Sequence, residues 1–422
     1  MRVYLESLGC KLNQCERDAL AGEFVCAGHR VVERIQDADV CVINTCAVTH
    51  VAAGKSRRRV RQLQRLNPAA RFVATGCYTG MRQNGMHVDL AVSNDAKDEL
   101  VSLVEARLPG WDLPVVDRPE RDDVPLTVFA GSRTRPLVKI QDGCDNACAY
   151  CIIHILRGPQ RSRPRQEILD RVASLVAAGY REVVLTGVHV GSYGRDSGDS
   201  LTALVQEILA RSPPDRLRLS SIEPWDLAPD FLVLWQDPRL CRHLHLPLQS
   251  GCDATLARMN RHYTTAQYAR LVERARAAVP GLAVTTDLIV GFPGESGDEF
   301  ALSKAFVEQM AFARVHVFPY SPRPGTPAAD MPAQVDPQVR HRRAREMRCV
   351  ARRSSEAFRR RFLGQRMPVL WESRRYDGRW SGLTDNYIRV YVESDRGLLG
   401  ILGPARLLAL ETGGVRGELC SG

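Results

Sequence analysis

The sequence contains no long apolar run. Its 422 residues are 44% hydrophobic and 25% charged, a composition typical of globular proteins. No stretch approaches the roughly 20 apolar residues that a helix needs to span a bilayer. The first residues, MRVYLESLGCKLNQCE, also lack the apolar segment of a secretory signal. These absences argue against a membrane-spanning protein and predict a soluble, cytoplasmic chain with no membrane partner.

Lysine is scarce, because only five of the 58 basic residues are lysines and the rest are arginines. The formal net charge is nevertheless +10. A basic surface gains affinity for a polyanion by releasing counterions from its phosphates. The charge therefore favours nucleic acid as a partner without proving it, since a GC-rich genome would also favour arginine codons.

Cysteine, by contrast, is abundant, with thirteen residues. In a cytoplasmic protein such residues are better interpreted as free thiols or metal ligands than as a disulfide framework. The odd number agrees with this interpretation. The positions of the cysteines relative to the predicted elements therefore carry most of the functional information.

We expect an α/β protein whose first domain covers residues 1–112. Strand and helix patterns alternate there, which predicts a small doubly wound parallel sheet. Three predicted strands end in a cysteine, at Cys10, Cys46 and Cys77, and ligands gather at the carboxyl ends of strands in such sheets. A segment rich in Pro, Asp and Arg over residues 113–130 then predicts a linker.

Residues 131–362 repeat six β/α units and predict a partial (β/α)6 barrel. Its active site should lie at the carboxyl ends of the strands. The last predicted helix, over residues 340–362, carries ten Arg and two Glu, and its apolar residues follow helical spacing. Its basic face is interpreted either as an RNA contact or as a solvated surface.

Short strand patterns separated by glycine turns fill residues 363–422 and predict a small β-barrel. Aromatic residues in this segment either stack on nucleic-acid bases or form an ordinary barrel core. They are Trp371, Trp380, Tyr387 and Tyr391.

Cys144, Cys148 and Cys151 follow the first predicted barrel strand and form the clearest motif. Three thiolates hold only three of the four irons of a 4Fe-4S cluster, so one iron keeps an open coordination position. That iron can chelate the amino and carboxylate groups of S-adenosylmethionine (SAM), and an electron from the cluster then yields a deoxyadenosyl radical. Such a radical removes hydrogen from C–H bonds that no side-chain base can deprotonate.

Structural zinc is the alternative, because His154 would complete a set of three thiolates and one imidazole. Zinc modules, however, usually separate their ligand pairs by about a dozen residues or more. The loop also lies at the top of a β/α series, where a cofactor is expected. The spacing therefore favours the iron-sulfur cluster.

Nine segments of the sequence resemble those of a known family. Three lie in the first domain and six in the predicted barrel, and one of these six contains the cysteine motif. Those in the first domain are GCKLNQCE (9–16), NTCAVT (44–49) and TGCY (75–78). Those in the barrel are QDGCDNACAYCII, LTGVHVGSYG, SSIEP, LPLQSG, IVGFPGE and FPYSPRPGTPA. Together they resemble the methylthiotransferases, a radical SAM family with a TRAM barrel that binds RNA. Within this family, the segments are most similar to those of the threonylcarbamoyladenosine tRNA methylthiotransferases.

The resemblance implies that Cys10, Cys46 and Cys77 hold an auxiliary 4Fe-4S cluster beside the SAM-binding one. It also implies two uses of SAM, one as methyl donor and one as radical source. The product would be a methylthio group on C2 of the adenine next to the anticodon, in the tRNA anticodon stem-loop. A reducing partner such as a flavodoxin or ferredoxin would supply electrons.

Relatives that modify isopentenyladenosine in tRNA or a ribosomal protein side chain remain alternatives, as does a non-catalytic iron-sulfur RNA-binding protein. Two departures from the family are Cys15, where an aromatic residue is common, and His154, where proline is usual. Neither removes a cluster ligand.

Two groups of contact residues are expected around the clusters. Strand ends face the cofactor in such barrels, so the expected SAM contacts are Thr186, Gly187, Glu223, Gln249 and Ser250. Just beyond the cluster loop, guanidinium groups could clamp the threonyl carboxylate of the substrate, or instead hold tRNA phosphates or SAM. These substrate candidates are Arg157, Arg161 and Arg163, with Arg157 and Arg161 preferred.

Overall fold

The computed structural model describes residues 1–81, 85–108 and 133–420. The linker predicted over 113–130 lies outside these described residues. No described helix is both long and apolar enough to cross a membrane.

The N-terminal domain is a parallel five-stranded sheet, as predicted. Its strand order is β2-β1-β3-β4-β5, and β3 is buried along its whole length because both faces are covered. The strands are β1 (Arg2–Ser7), β2 (Arg30–Val31), β3 (Val40–Thr45), β4 (Arg71–Gly76) and β5 (Leu90–Ala91). The helices are α1 (Lys11–Cys26), α2 (His50–Leu66) and α3 (Leu100–Arg107).

The central domain contains six parallel strands in two hydrogen-bonded groups, β10-β9-β6 and β11-β12-β13. A parallel bridge between Ser221 and His245 joins the groups, so the predicted partial barrel is confirmed. Its strands are β6 (Leu137–Lys139), β9 (Glu182–Thr186), β10 (Arg216–Leu219), β11 (His243–His245), β12 (Ala283–Val290) and β13 (Arg314–Pro319). A short hairpin pairs β7 (Gln141–Asp142) with β8 (Arg161–Ser162).

Among the described residues, eight helices lie between or after the strands of this barrel. Two of them begin with a capping box, formed by Thr264 with Gln267 and by Ser296 with Glu299, which satisfies amide groups that have no partner within the helix. The helices are α4 (Ile153–Arg157), α5 (Arg165–Ala177), α6 (Leu201–Arg211), α7 (Asp253–Arg258), α8 (Thr265–Ala278), α9 (Gly297–Met310), α10 (Pro327–Asp330) and α11 (Pro337–Arg360).

The C-terminal segment is a closed five-stranded barrel of order β14-β15-β16-β18-β17. Trp371 and Trp380 lie in its hydrophobic core with Phe358 and Phe362 from the end of α11, so packing accounts for both indoles. The strands are β14 (Arg366–Arg374), β15 (Trp380–Thr384), β16 (Arg389–Val392), β17 (Leu402–Glu411) and β18 (Gly414–Leu419).

Candidate active site

Cys144, Cys148 and Cys151 lie on the loop between β7 and α4. Gly143 begins this loop with a φ of 67°, and a Cβ atom there would lie 1.8 Å from the carbonyl oxygen of Pro159, so the turn requires glycine. The amide of Cys151 donates to the carbonyl of Cys148 at 3.0 Å. Burial is the largest cause that raises the pKa of the Cys151 thiol to about 12, and the neighbouring Cys148 and Cys144 contribute to the same rise. The three thiols therefore influence one another electrostatically.

Cys10, Cys46 and Cys77 follow the carboxyl ends of β1, β3 and β4, which are adjacent strands of one sheet. Burial raises the pKa of Cys46 to about 11, with further contributions from Cys77 and Cys10. A Cβ atom at Gly9, whose φ is 99°, would lie 2.6 Å from the sulfur of Cys46. The fold thus brings together three thiols that are far apart in sequence.

Both cysteine sets suit iron-sulfur clusters chemically. Within residues 1–81, 85–108 and 133–420, no three His, Cys, Asp or Glu side chains form a site for a single metal ion. In a cluster each thiolate binds a different iron, so the three sulfurs need not converge on one point. Each set also has a guanidinium against one sulfur, from Arg157 at 3.3 Å from Cys77 Sγ and from Arg261 at 3.5 Å from Cys148 Sγ. Burial raises the pKa of the Cys148 thiol above its usual value, and the guanidinium of Arg261 opposes this rise.

Arg157 lies in a buried ionic network between the two cysteine sets. It is 1% exposed, and its Nη1 donates to Glu16 at 2.8 Å and to Asp142 at 2.9 Å. Its Nη2 donates to Asn13 at 2.9 Å and to Glu16 at 3.2 Å. Together with the contact to Cys77, these bonds engage all three nitrogens within the protein, so this geometry leaves Arg157 no donor for a substrate carboxylate.

Arg161 and Arg163 lie on the surface beside the N-terminal domain. The side chain of Arg161 is 49% exposed and lies 3.6 Å from Asp95, and that of Arg163 is 36% exposed and lies 3.4 Å from Asp98. Exposed pairs of this kind contribute little to stability. Both guanidinium groups therefore remain available to an incoming polyanion.

The strand-end residues Thr186 and Gly187 lie beside the strand that leads into the cluster loop. The carbonyl of Thr186 accepts from the amide of Ile140 at 2.9 Å. A Cβ atom at Gly187 would lie 2.9 Å from the carbonyl oxygen of Gln141, so the close approach of the two segments requires glycine. The Gln141 side chain then accepts hydrogen bonds from the amides of Val188 and His189 at 3.0 and 2.8 Å.

Glu223 reaches the cluster loop through a second residue. Arg261 donates to Glu223 at 2.5 Å and also approaches the sulfur of Cys148. Gln249 and Ser250 lie at the end of the next strand group, where Gln249 has a φ of 64° and Ser250 Oγ accepts from the amide of Cys252 at 3.3 Å. Glu223 is thus a SAM candidate that Arg261 connects to the cysteine motif.

His189 and Arg261 also lie at this site but were not among the residues predicted from the sequence. His189 Nδ1 lies 3.9 Å from Cys144 Sγ and 3.2 Å from Asn146 Nδ2, and its Nε2 lies 2.5 Å from Asp226. Burial lowers the pKa of His189, but the contacts with Asp226 and Cys144 outweigh this effect and raise the pKa to about 9. His189 lies within the motif LTGVHVGSYG, so its imidazole was a visible signal, whereas Arg261 lies outside every motif.

The two departures from the family pattern have different surroundings. Cys15 is buried, and its thiol donates to the carbonyl of Leu137 at 3.3 Å. Burial raises its pKa to about 12. The Nδ1 atom of His154 is buried without a hydrogen-bond partner among the described residues. Cys15 thus has a packing role, while His154 retains an unused polar atom next to Cys151.

Comparison with known proteins identifies the class. Residues 138–307 match the radical SAM superfamily, and residues 2–94 match an uncharacterized protein family, UPF0004. The solved structure of the radical S-adenosylmethionine methyltransferase TsrM from Kitasatospora setae superposes with a TM-score of 0.58 at 16% identity, covering 78% of this chain and 77% of that one. The fold is therefore that of a radical SAM protein.

Comparison with curated relatives identifies the family within this class. A threonylcarbamoyladenosine tRNA methylthiotransferase of Thermotoga maritima is 36% identical over 92% of this chain and 90% of its own length. The Bacillus subtilis protein of the same name is 35% identical over 96% and 93%. The chain belongs to the methylthiotransferase family of radical SAM enzymes.

Proposed function

We propose that this protein adds a methylthio group to C2 of N6-threonylcarbamoyladenosine next to the anticodon of tRNA. The observation that carries the proposal is two sets of three cysteines joined by one buried ionic network, in a chain whose relatives bear that name. Membership of the family implies SAM and 4Fe-4S clusters as cofactors. Flavodoxin or ferredoxin is proposed as the electron donor, and the cytoplasm as the location.

Each cysteine set has its own part in the proposal. Cys144, Cys148 and Cys151 would hold the SAM-binding cluster, and Cys10, Cys46 and Cys77 the auxiliary one. When bound, the first cluster supplies the electron that generates a radical from SAM, and the second is the place of sulfur transfer.

The protein's own side chains hold and shield these positions. Arg261 bridges Glu223 to the sulfur of Cys148, so this carboxylate is fixed beside the expected SAM site. Cys46, Cys77 and Cys148 are buried, whereas Cys10 is exposed, so burial would shield three of the six cysteine positions from water and from side reactions. Thr186, Gly187, Gln249 and Ser250 remain proposed SAM contacts at the surrounding strand ends.

The assignment is tested by replacing each cysteine set with alanine in anaerobically reconstituted protein. The Cys144/Cys148/Cys151 variant should hold roughly half of the wild-type iron, because one of two clusters is lost, and should not cleave SAM. The Cys10/Cys46/Cys77 variant should still release deoxyadenosine but should form no methylthio nucleoside. Iron analysis and nucleoside mass spectrometry provide the readouts.

These variants also separate the remaining alternatives. A non-catalytic RNA-binding protein would cleave no SAM in any form, and an enzyme acting on protein would leave tRNA unmodified. Wild-type iron in the first variant would refute the cluster assignment. Turnover of isopentenyladenosine tRNA in preference to threonylcarbamoyladenosine tRNA would refute the proposed substrate.

A further inference from the structure

A cavity of about 470 Å³ opens between the N-terminal domain and the loop that follows β13. Helix α2 and the turn after β4 contribute Arg57 and Tyr78 to its wall, and the loop contributes Pro322 and Arg323. The cavity therefore combines flat and apolar surfaces with two guanidinium groups.

Arg323 is buried in this wall, and none of the described residues provides it with a matching anion. It is 3% exposed, and its Nε has no hydrogen-bond partner among the residues that the structure describes. Its Nη2 contacts a weak acceptor, Met81 Sδ, at 3.1 Å. Burial lowers the pKa of Arg323 and nearby Arg57 lowers it further, while the opposing groups are Tyr78 and Cys46. A buried cation without a strong acceptor is costly, so the arrangement is suited to an anion that enters from outside.

An acidic residue also lines the cavity but does not fill this role. Asp330 is exposed and is not among the groups that shift the pKa of Arg323. The buried cation Arg323 and the exposed carboxylate of Asp330 are thus separate features of the cavity.

The cavity lies beside both cysteine sets. Ser321 Oγ accepts from the amide of His50 at 3.0 Å, which ties the loop to the start of α2. The amide of Ala328 donates to the carbonyl of Ala149 at 2.8 Å, which ties the same loop to the cysteine motif. Tyr78 directly follows Cys77 in sequence. A substrate that must meet a radical from one side and sulfur from the other is suited to this position.

We propose that this cavity receives the target nucleotide and that Arg323 holds one of its oxyanions. The inference rests on the proposed function and deepens it. A planar guanidinium forms parallel hydrogen bonds with either a carboxylate or a phosphate, so the anion is the threonyl carboxylate or the phosphate of the same nucleotide. Pro322 is exposed and provides an apolar surface for the base. Arg323, and not Arg157, is thus the residue that we expect to recognise the modified nucleotide.

The test measures binding of two anticodon stem-loop RNAs, one with threonylcarbamoyladenosine and one with unmodified adenosine. Arg323→Gln should weaken binding of the modified RNA roughly tenfold to a hundredfold, the range for a hydrogen bond between charged groups. Loss confined to the modified RNA identifies the carboxylate, and equal loss for both identifies the phosphate. Arg323→Lys should lose less affinity, because lysine keeps the positive charge but lacks the two parallel donors of a guanidinium. Unchanged affinity for both RNAs overturns the inference.

Two controls separate this contact from a general loss of positive charge and from a contact with SAM. Arg274 is exposed on α8, and Arg274→Gln should leave both affinities unchanged. SAM also ends in a carboxylate, so the KM for SAM is measured without RNA. A raised KM in Arg323→Gln together with unchanged RNA affinity would assign Arg323 to SAM and overturn the inference.

A further measurement uses only the wild-type protein and so does not depend on how a variant folds. Stem-loops are prepared with the threonyl carboxylate as a methyl ester or with the target phosphate as a methylphosphonate. One of these two RNAs, each of which lacks one negative charge of its parent, should bind at least about tenfold more weakly than that parent. Binding of both RNAs with the affinity of their parents overturns the inference. If wild-type protein binds as expected but makes no methylthio product from threonylcarbamoyladenosine tRNA, the proposed function fails separately.

Discussion

Arg157 neutralises two buried carboxylates at once, Glu16 from the N-terminal domain and Asp142 from the barrel. Lys97 and Lys139 also contact Glu16, at 2.6 and 3.2 Å. Although burial opposes it, these cations hold the pKa of Glu16 well below its usual value. The network therefore joins the N-terminal domain to the barrel through buried ionic contacts.

Replacing Arg157 by methionine should destabilise the metal-free protein by about 3–5 kcal/mol, because it removes one member of a buried charge network and leaves the others unbalanced. Urea denaturation of the metal-free chain measures the free energy of unfolding. Arg161→Met is the matched control, since Arg161 is half exposed and its loss should change that free energy by less than about 0.5 kcal/mol. Equal stability of the two variants would contradict a structural role for Arg157.

At the level of single residues, the sequence predicted what is encoded locally. Cys144, Cys148 and Cys151 lie within eight positions, so their spacing alone indicated a common site. The surroundings of Arg157 were not predictable, because its partner Glu16 lies 141 positions away in the chain. Arg323 was missed for a similar reason: its importance comes from burial and from the lack of a partner for its Nε in the part of the chain that the structure describes. Only the folded chain reveals both.

At the scale of elements, strand and helix patterns predicted the parallel sheet, the six barrel strands and the closed C-terminal barrel. Each has a strong periodic pattern that tertiary contacts do not override. The aromatic residues of the last barrel were ambiguous, because burial of a tryptophan depends on which face of the strand meets the core. Trp371 is 1% exposed and Trp380 8%, so the packed-core interpretation applies to both.

Helix α11 has both a buried face and a basic outer face. Met347 and Val350 are buried, whereas Arg345 and Arg352 are exposed about two turns apart. If this outer face contacts phosphates, Arg345→Gln with Arg352→Gln should reduce the slope of log affinity against log salt by between about one and two. Titrations of tRNA at several salt concentrations measure that slope.

Two exposed arginines of α8, Arg270 and Arg274, provide the matched pair for this comparison. Their replacement by glutamine removes the same charge from another helix of the barrel exterior. A slope that falls equally in both double variants would indicate a general effect of net charge, and the basic face of α11 would then be a solvated surface.

At the scale of the whole molecule, the C-terminal barrel closes the interior of the central one. Arg216 donates to the carbonyls of Leu383 and Pro368 at 3.0 and 2.6 Å, and Arg218 donates to that of Asp385 at 2.9 Å. Both arginines are buried. The small barrel thus supplies acceptors that two buried cations of the central domain need.

Truncation after Gly364 should therefore impair the central domain as well as any RNA contact made by the small barrel. Truncation also uncovers Phe358 and Phe362, which pack into the core of the small barrel, at about 25 cal/mol for each Å² of apolar surface exposed to water. Thermal denaturation should show a lower midpoint, and SAM cleavage without tRNA should fall with it. A truncated chain that cleaves SAM at the wild-type rate would show that the two barrels fold independently.

Tyr376 allows RNA binding by the small barrel to be tested without this damage. It lies at the exposed turn between β14 and β15 and has 114% relative exposure, so Tyr376→Ala should not disturb the core. If its ring stacks on a base, tRNA affinity should fall by about 1–3 kcal/mol while the denaturation midpoint stays at the wild-type value. Unchanged affinity, combined with a destabilised truncation variant, would assign the small barrel a structural role as the cover of the central domain.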